Sequence, residues 1–211
     1  MKNTMNTTFA LNIGRQFGSG GREIGGKLAK RLNVAYYDKE LIRLASKESG
    51  LDEKFFEDAD EKTGFRLKDG LFGLGSSFLG GGYTDSYLCN ETLFKIQSDV
   101  IREQAEKQSC IFVGRCADYI LRDHPCTLTI FISADLKDRV ERVVHNLTIT
   151  EKKALELIEK TDKKRAAYYN YYSNKLWGVA SSYDLCINSS KLGVDATVDF
   201  ILQFWEAKKG G

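Results

Sequence analysis

Short apolar runs alternate with amphipathic stretches along most of this chain. Phe9-Ala10-Leu11-Asn12-Ile13 reads as a strand ended by Gly14, and Ile24, Leu28 and Leu32, four apart, predict a helix over Glu23–Leu32. Val34-Ala35-Tyr36-Tyr37 predicts a second strand, with Asp38 placed to cap a helix over Lys39–Ser49. Between residues 51 and 92 the pattern lapses. Glycines from Gly64 to Gly82 separate Phe65, Leu67, Leu71, Phe72, Leu74, Phe78 and Leu79, which reads either as a flap or interface segment or as a plain surface insertion. Alternation resumes with a helix over Leu93–Lys107, a strand Cys110–Val113, a short helix to Leu121 and a strand Thr127–Ile132. Helices over Asp135–Asn146 and Thr150–Tyr172, a strand Leu185–Asn188 and a helix Val194–Ala207 follow. Strand–helix alternation of this kind predicts the α/β class, a parallel sheet flanked by helices on both faces.

The 211 residues fit one domain, and 42% hydrophobic content is enough for a sizeable core. Lys and Arg number 31 against 29 Asp and Glu, a net charge of +2, which argues against a protein that coats nucleic acid but allows a local cationic pocket. Five cysteines without CxxC spacing and two histidines point to free thiols, with no structural zinc. No apolar run approaches the ~18 residues that span a bilayer, and the polar start shows no signal peptide. The expectation is a cytoplasmic protein with neither a nucleic-acid polymer nor a membrane as partner.

The first candidate for chemistry is Gly14-Arg15-Gln16-Phe17-Gly18-Ser19-Gly20-Gly21-Arg22-Glu23, between the first strand and the first helix. Glycines there let backbone N–H groups form an anion nest at a helix N-terminus. The Walker pattern GxxxxGK[ST] is not met. Arg22 is the nearest cation, and Glu23 stands where a magnesium-holding hydroxyl is usual. The alternative is a tight turn that packs helix on strand. In Lys160-Thr161-Asp162-Lys163-Lys164-Arg165, four cations crowd six residues. That density suits a basic arm over transferring phosphates, or a solvated helix face with ordinary ion pairs. Gly114-Arg115 follows a strand directly, where a guanidinium would fork onto phosphate or carboxylate. Arg139 and Arg142 are candidates for the rim of a nucleotide site.

The order of these features resembles the cytidylate kinase-like family of nucleoside monophosphate kinases. The resemblance is carried by Asn12–Leu28, Ala35–Lys39, Val113–Tyr119, Asp162–Arg165 with Tyr168–Tyr172, and Tyr183–Asn188. It implies a three-layer P-loop NTPase fold in a single domain, with a core over 9–50 and 93–207, an NMP-binding insertion over 51–92 and a helical lid over 147–176. It implies transfer of the γ-phosphoryl of ATP, with Mg²⁺, onto a nucleoside monophosphate or a related small acceptor. Gly18, Ser19, Gly20, Gly21, Arg22 and Glu23 would cradle the ATP phosphates, and Arg139 and Arg142 would flank the adenine. Asp38, Lys39, Arg115, Asp162 and Arg165 would hold the acceptor, and Arg22, Lys163 and Arg165 would act on the transferring group. No metal-ligating side chains are implied. The family's P-loop lysine aligns with Gly21, and its cytosine-reading aspartate with Ser133. Without that lysine, a non-catalytic nucleotide- or phosphate-binding protein is the alternative. The apolar residues between Phe65 and Leu79 make a homodimer conceivable.

Overall fold

The computed structural model describes residues 8–38, 40–50 and 83–210, with the side chains of 83–90 and of Gly210 left aside. Its centre is a parallel sheet of five strands: β1 (Ala10–Arg15), β2 (Ala35–Tyr37), β3 (Cys110–Val113), β4 (Thr127–Ser133) and β5 (Leu185–Asn188). Their order is β2-β3-β1-β4-β5. β1 lies in the middle, Leu11 opposite Ile111 on one side and Leu128 on the other. β3 and most of β4 are continuous apolar runs because helices cover both of their faces.

Strands and helices alternate as the residue pattern requires, and the helices form two outer layers. On one face α1 (Gly21–Leu32) and α7 (Ser189–Gly210) bury Ile24, Leu28, Val198, Ile201 and Trp205 against Leu11, Ile13, Ile111 and Ile130. On the other, α2 (Glu40–Ser49), α3 (Tyr83–Lys107) and the short α4 (Ala117–Ile120) bury Leu41, Leu93, Val100 and Ile101 against Ala10 and Phe112. α5 (Leu136–Leu147) and α6 (Glu151–Ser173) join through a smaller core of Val143, Ala154 and Ile158, against which Phe17 also packs.

Three boundaries differ from the sequence reading. β1 runs through Gly14 to Arg15, because both residues continue the ladder to β4. α3 begins at Tyr83 instead of Leu93, so helix replaces the last part of the expected insertion. α7 begins at Ser189 and breaks at Gly193 (φ 75°, ψ 171°) before the expected Val194 start. Lys39 and the apolar segment Phe65–Leu79, with most of the insertion and the proposed dimer face, lie outside the described residues. Among the described residues no helix is long and apolar enough to cross a membrane.

Candidate active site

The loop after β1 is held from several sides. Gln16 continues the ladder through its N–H to Ile132 O (3.0 Å), and its Oε1 accepts the Ala134 N–H (3.1 Å). Ser19 Oγ donates back to Gln16 O at 2.9 Å, and Ser189 Oγ donates to Ser19 O at 2.7 Å. Arg139 Nε donates to Phe17 O at 2.8 Å, Arg142 to Gly18 O, and Asp162 accepts the Phe17 N–H at 2.8 Å while pairing with Arg139. The guanidiniums meet the loop's carbonyls and leave the first-turn amides of α1, at Gly21, Arg22 and Glu23, as the donors without intrahelical acceptors.

Beside this loop, at the carboxyl ends of β1 and β3, lies a cavity of about 370 Å³. Its centre is Arg15, which the sequence reading passed over. Two glycines make room for that side chain. A Cβ on Gly21 would lie 2.6 Å from Arg15 Cβ, and one on Gly114 (φ 81°) 2.1 Å from its Nη1. Asp38 anchors the cluster, 3.5 Å from Arg15 Nη2 and 2.6 Å from Arg22 Nε. From α6, Arg165 donates to Arg15 O at 3.0 Å and lies over the Phe17 ring. Arg115 lines the same cavity from a left-handed backbone (φ 62°), as does Cys116 (φ 54°), a conformation that side chains with a Cβ rarely adopt. Lys160 and Lys164 complete the wall.

This crowding of like charge has a cost. Burial lowers the Arg15 pKa, with Asp38 opposing and the neighbouring Arg115 and Arg22 adding to the effect. Burial, and then the Arg15 guanidinium, pushes Arg165 down to about 9. A bound anion would relieve both.

A different chemistry lines the rest of the cavity. Tyr169 donates to Asp118 Oδ2 at 2.7 Å, its ring stacks on that of Tyr183, and Tyr183 Oη accepts the Gly178 N–H at 3.3 Å. Burial raises the carboxyl of Asp118 and both phenols. Trp177 and Asn12 lie along the same lining.

Of the expected site residues, Arg22, Asp38, Arg115 and Arg165 meet in the cavity. Gly18 to Glu23 form the adjoining loop and the start of α1. Arg139 and Arg142, expected at an adenine, instead fasten loop carbonyls. Asp162, expected on the acceptor, is turned into the loop. Lys163, expected at the transferring group, points away and pairs with Glu159 at 2.6 Å on an exposed face, because it sits one position from Asp162 around the helix. Ser133 donates to Ile187 O and does not line the cavity. Arg15, Asn12, Asp118 and Tyr183 escaped the sequence reading as site residues. Only Arg15 carried a signal, its place inside the glycine loop. Among the described residues no group of three or more His, Cys, Asp or Glu side chains is placed to hold a metal.

The sequence model of the cytidylate kinase-like family matches residues 10–191. Among solved structures, an uncharacterized protein from Eubacterium ventriosum ATCC 27560 is 31% identical with a TM-score of 0.70, the match covering 94% of this chain and 99% of that one. Shikimate kinase from Bacteroides thetaiotaomicron aligns with a TM-score of 0.54 at 12% identity over 94% and 98% of the two chains. Shikimate kinase from Acinetobacter baumannii, solved in complex with shikimate, aligns at 0.52 and 11% over 99% and 98%. At such identities the likeness shows the fold alone, here a five-strand parallel sheet flanked by helices. Among curated proteins none matches the chain in sequence.

Proposed function

The chain belongs to the cytidylate kinase-like family, and from that premise we propose that it is an ATP-dependent phosphotransferase whose acceptor is a nucleoside monophosphate. One observation carries the reading. Among the described residues the cavity gathers Arg15, Arg22, Arg115, Lys160, Lys164 and Arg165 against two carboxylates, Asp38 and Asp118. A half-enclosed site with that excess of cations calls for a highly anionic ligand.

The residues present suit ATP. The α1 first turn offers amides to phosphate oxygens, and Arg22 stands one position from where a P-loop lysine would be. Asp38, the carboxylate beside the loop, is taken up by Arg15 and Arg22, so Mg²⁺ would be held by phosphate oxygens and water instead of protein carboxylates. Bound ATP would supply the phosphoryl group, and Mg²⁺ with it would spread the charge of the transferring phosphate. The chain's own contribution is positioning and charge neutralisation. Arg115 and Arg15 hold the acceptor phosphate from the sheet side, while Arg165, Lys160 and Lys164 of α6 close on it from above and limit water.

A coupled ADP-release assay over a panel of nucleoside monophosphates tests this. Arg115→Ala should lower kcat/KM by roughly 10- to 100-fold, the loss of one charge-assisted contact. Undiminished turnover by that variant would remove Arg115 from the site. A second reading, a nucleotide-binding protein without transfer, is favoured by Gly21 at the lysine position and by the Asp162 carboxylate on the Phe17 amide. It calls for ATP binding by calorimetry with no ADP released from any acceptor.

A further inference from the structure

Asn12 stands in β1, the middle strand, opposite Phe112 on β3 and Thr129 on β4. It is 3% exposed, and neither its Nδ2 nor its Oδ1 has a hydrogen-bond partner among the described residues. Strands disfavour asparagine. A buried amide with donor and acceptor both unmet is rare in folded proteins, where an aliphatic side chain would fill the same space without that cost. Among the described residues nothing meets this amide, and a ligand in the cavity that it lines is the partner its donor and acceptor call for. Alternation along the strand turns Asn12 to the same face as Gly14, where a Cβ would lie 3.2 Å from the Tyr183 ring. Gly14 adds no side chain of its own, and Asn12 lines the cavity.

The cavity has two chemically different ends. At one, Arg15 and Arg22 pair with Asp38, with Arg165 donating to Arg15 O and Arg115 on the same lining. At the other, Asp118 accepts from Tyr169, and the cation that acts most on it is Lys175, which belongs to none of that arginine cluster. Aromatic rings of Tyr169, Tyr183 and Trp177 flank this second end.

We propose that Asn12 is a specificity-determining residue of the acceptor site: its amide pairs with the donor–acceptor edge of a planar heterocycle whose phosphate sits among the arginines. Asp118, an acceptor when ionised, asks for a donor on that ligand, so bases bearing an amino group are favoured over those bearing only oxo groups. This rests on the phosphotransferase reading for the phosphate end and adds what the far end of the acceptor must carry.

Calorimetry on the full chain with CMP, AMP, UMP, GMP and inorganic phosphate tests it. Wild type should bind CMP or AMP about tenfold more tightly than UMP, the discrimination expected of one bidentate pair. Asn12→Leu should keep its phosphate affinity within about twofold and lose about tenfold for the preferred nucleotide. Asn12→Thr, which suits a strand better, should behave alike if the leucine variant does not fold. Equal nucleotide affinity in variant and wild type overturns the proposal and leaves a buried water as the amide's partner. Equal wild-type affinity for amino and oxo bases overturns it too. Failure of wild type to bind any nucleotide while binding phosphate overturns it without touching the arginine cluster. Failure to bind phosphate at all overturns the phosphotransferase reading itself.

Discussion

The carboxylate of Asp162, on α6, accepts the backbone N–H of Phe17 in the loop at 2.8 Å, and its second oxygen pairs with Arg139 of α5. One side chain thus ties three segments together, with Arg139 returning a hydrogen bond to Phe17 O. Both partners are largely buried, their side chains 7% and 16% exposed. Asp162→Ala would strand the Arg139 guanidinium without its counter-charge, and should lower stability by about 3 kcal/mol in urea titrations. The double variant with Arg139→Leu should recover part of that loss. Equal losses in both would mean that the pair contributes through Phe17 alone.

Lys163 is the contrasting case one residue on. Its ammonium pairs with Glu159 on an open face, with the side chain 74% exposed. Such exposed i,i+4 pairs on helices contribute little to stability. Lys163→Ala should shift the urea midpoint only slightly and leave ADP release unchanged, whereas a large fall in turnover would put the residue back among those acting on phosphate.

The comparison of these two neighbours shows where sequence reasoning reached and where it stopped. Because buried parallel strands must be apolar and flanking helices amphipathic, periodicity located the described strands and α-helices, though not the 3-10 turn Ala180–Ser182. Spacing on a helix also grouped Asp162 with Arg165. It could not say that Asp162 turns inward to the loop while Arg165 reaches Arg15, since that depends on how α6 leans on α5 through Ala154 and Ile158. Arg15 was overlooked for a related reason. Its burial depends on Gly114, a residue about a hundred positions away whose missing Cβ is visible only once β1 and β3 are paired. Asn12 read as one polar letter in an apolar strand, and only the lack of any partner marks it out.

Gly21 and Gly26 occupy the same helix and should respond oppositely to alanine. Nothing lies within 4 Å of a Cβ on Gly26, so Gly26→Ala should stabilise by roughly 0.5–1 kcal/mol through the lower entropy of the unfolded chain. A Cβ on Gly21 would meet Arg15 Cβ at 2.6 Å, too near the backbone to swing aside. Gly21→Ala should destabilise the protein and weaken sulfate binding together. A thermal melt in which both variants gain stability would mean that Arg15 does not occupy the space beside α1.

The arginine cluster predicts a stabilising effect of simple anions. Arg165, pressed down to about 9, remains charged at neutral pH beside the buried Arg15 guanidinium, so sulfate lowers the cost of keeping the two together. At a hundredfold its Kd a single bound anion adds about 2.7 kcal/mol. Sodium sulfate should therefore raise Tm well beyond sodium chloride at equal ionic strength, and Arg165→Gln should erase most of the difference. Identical effects of the two salts in wild type would show that the cluster binds no anion.

Asp118 gives the cavity's other end a measurable pH signature. Burial holds its carboxyl above the ordinary 3.8, against the Tyr169 hydroxyl and Lys175, which both favour the ionised form. The folded protein therefore keeps the proton to higher pH than the unfolded chain does. In the interval above 3.8 the folded state binds more protons, stability falls as pH rises through it, and the deficit persists to neutrality. Asp118→Asn keeps an oxygen to accept from Tyr169 but carries no charge to desolvate. The variant should match wild type in urea midpoint below pH 3.8 and exceed it at pH 7. Tyr183, stacked on Tyr169 and raised by burial as well, stays neutral throughout that range and does not contribute to the difference. A wild type that is the more stable of the two at pH 7 would mean that the ionised carboxylate is held by contacts strong enough to outweigh its burial.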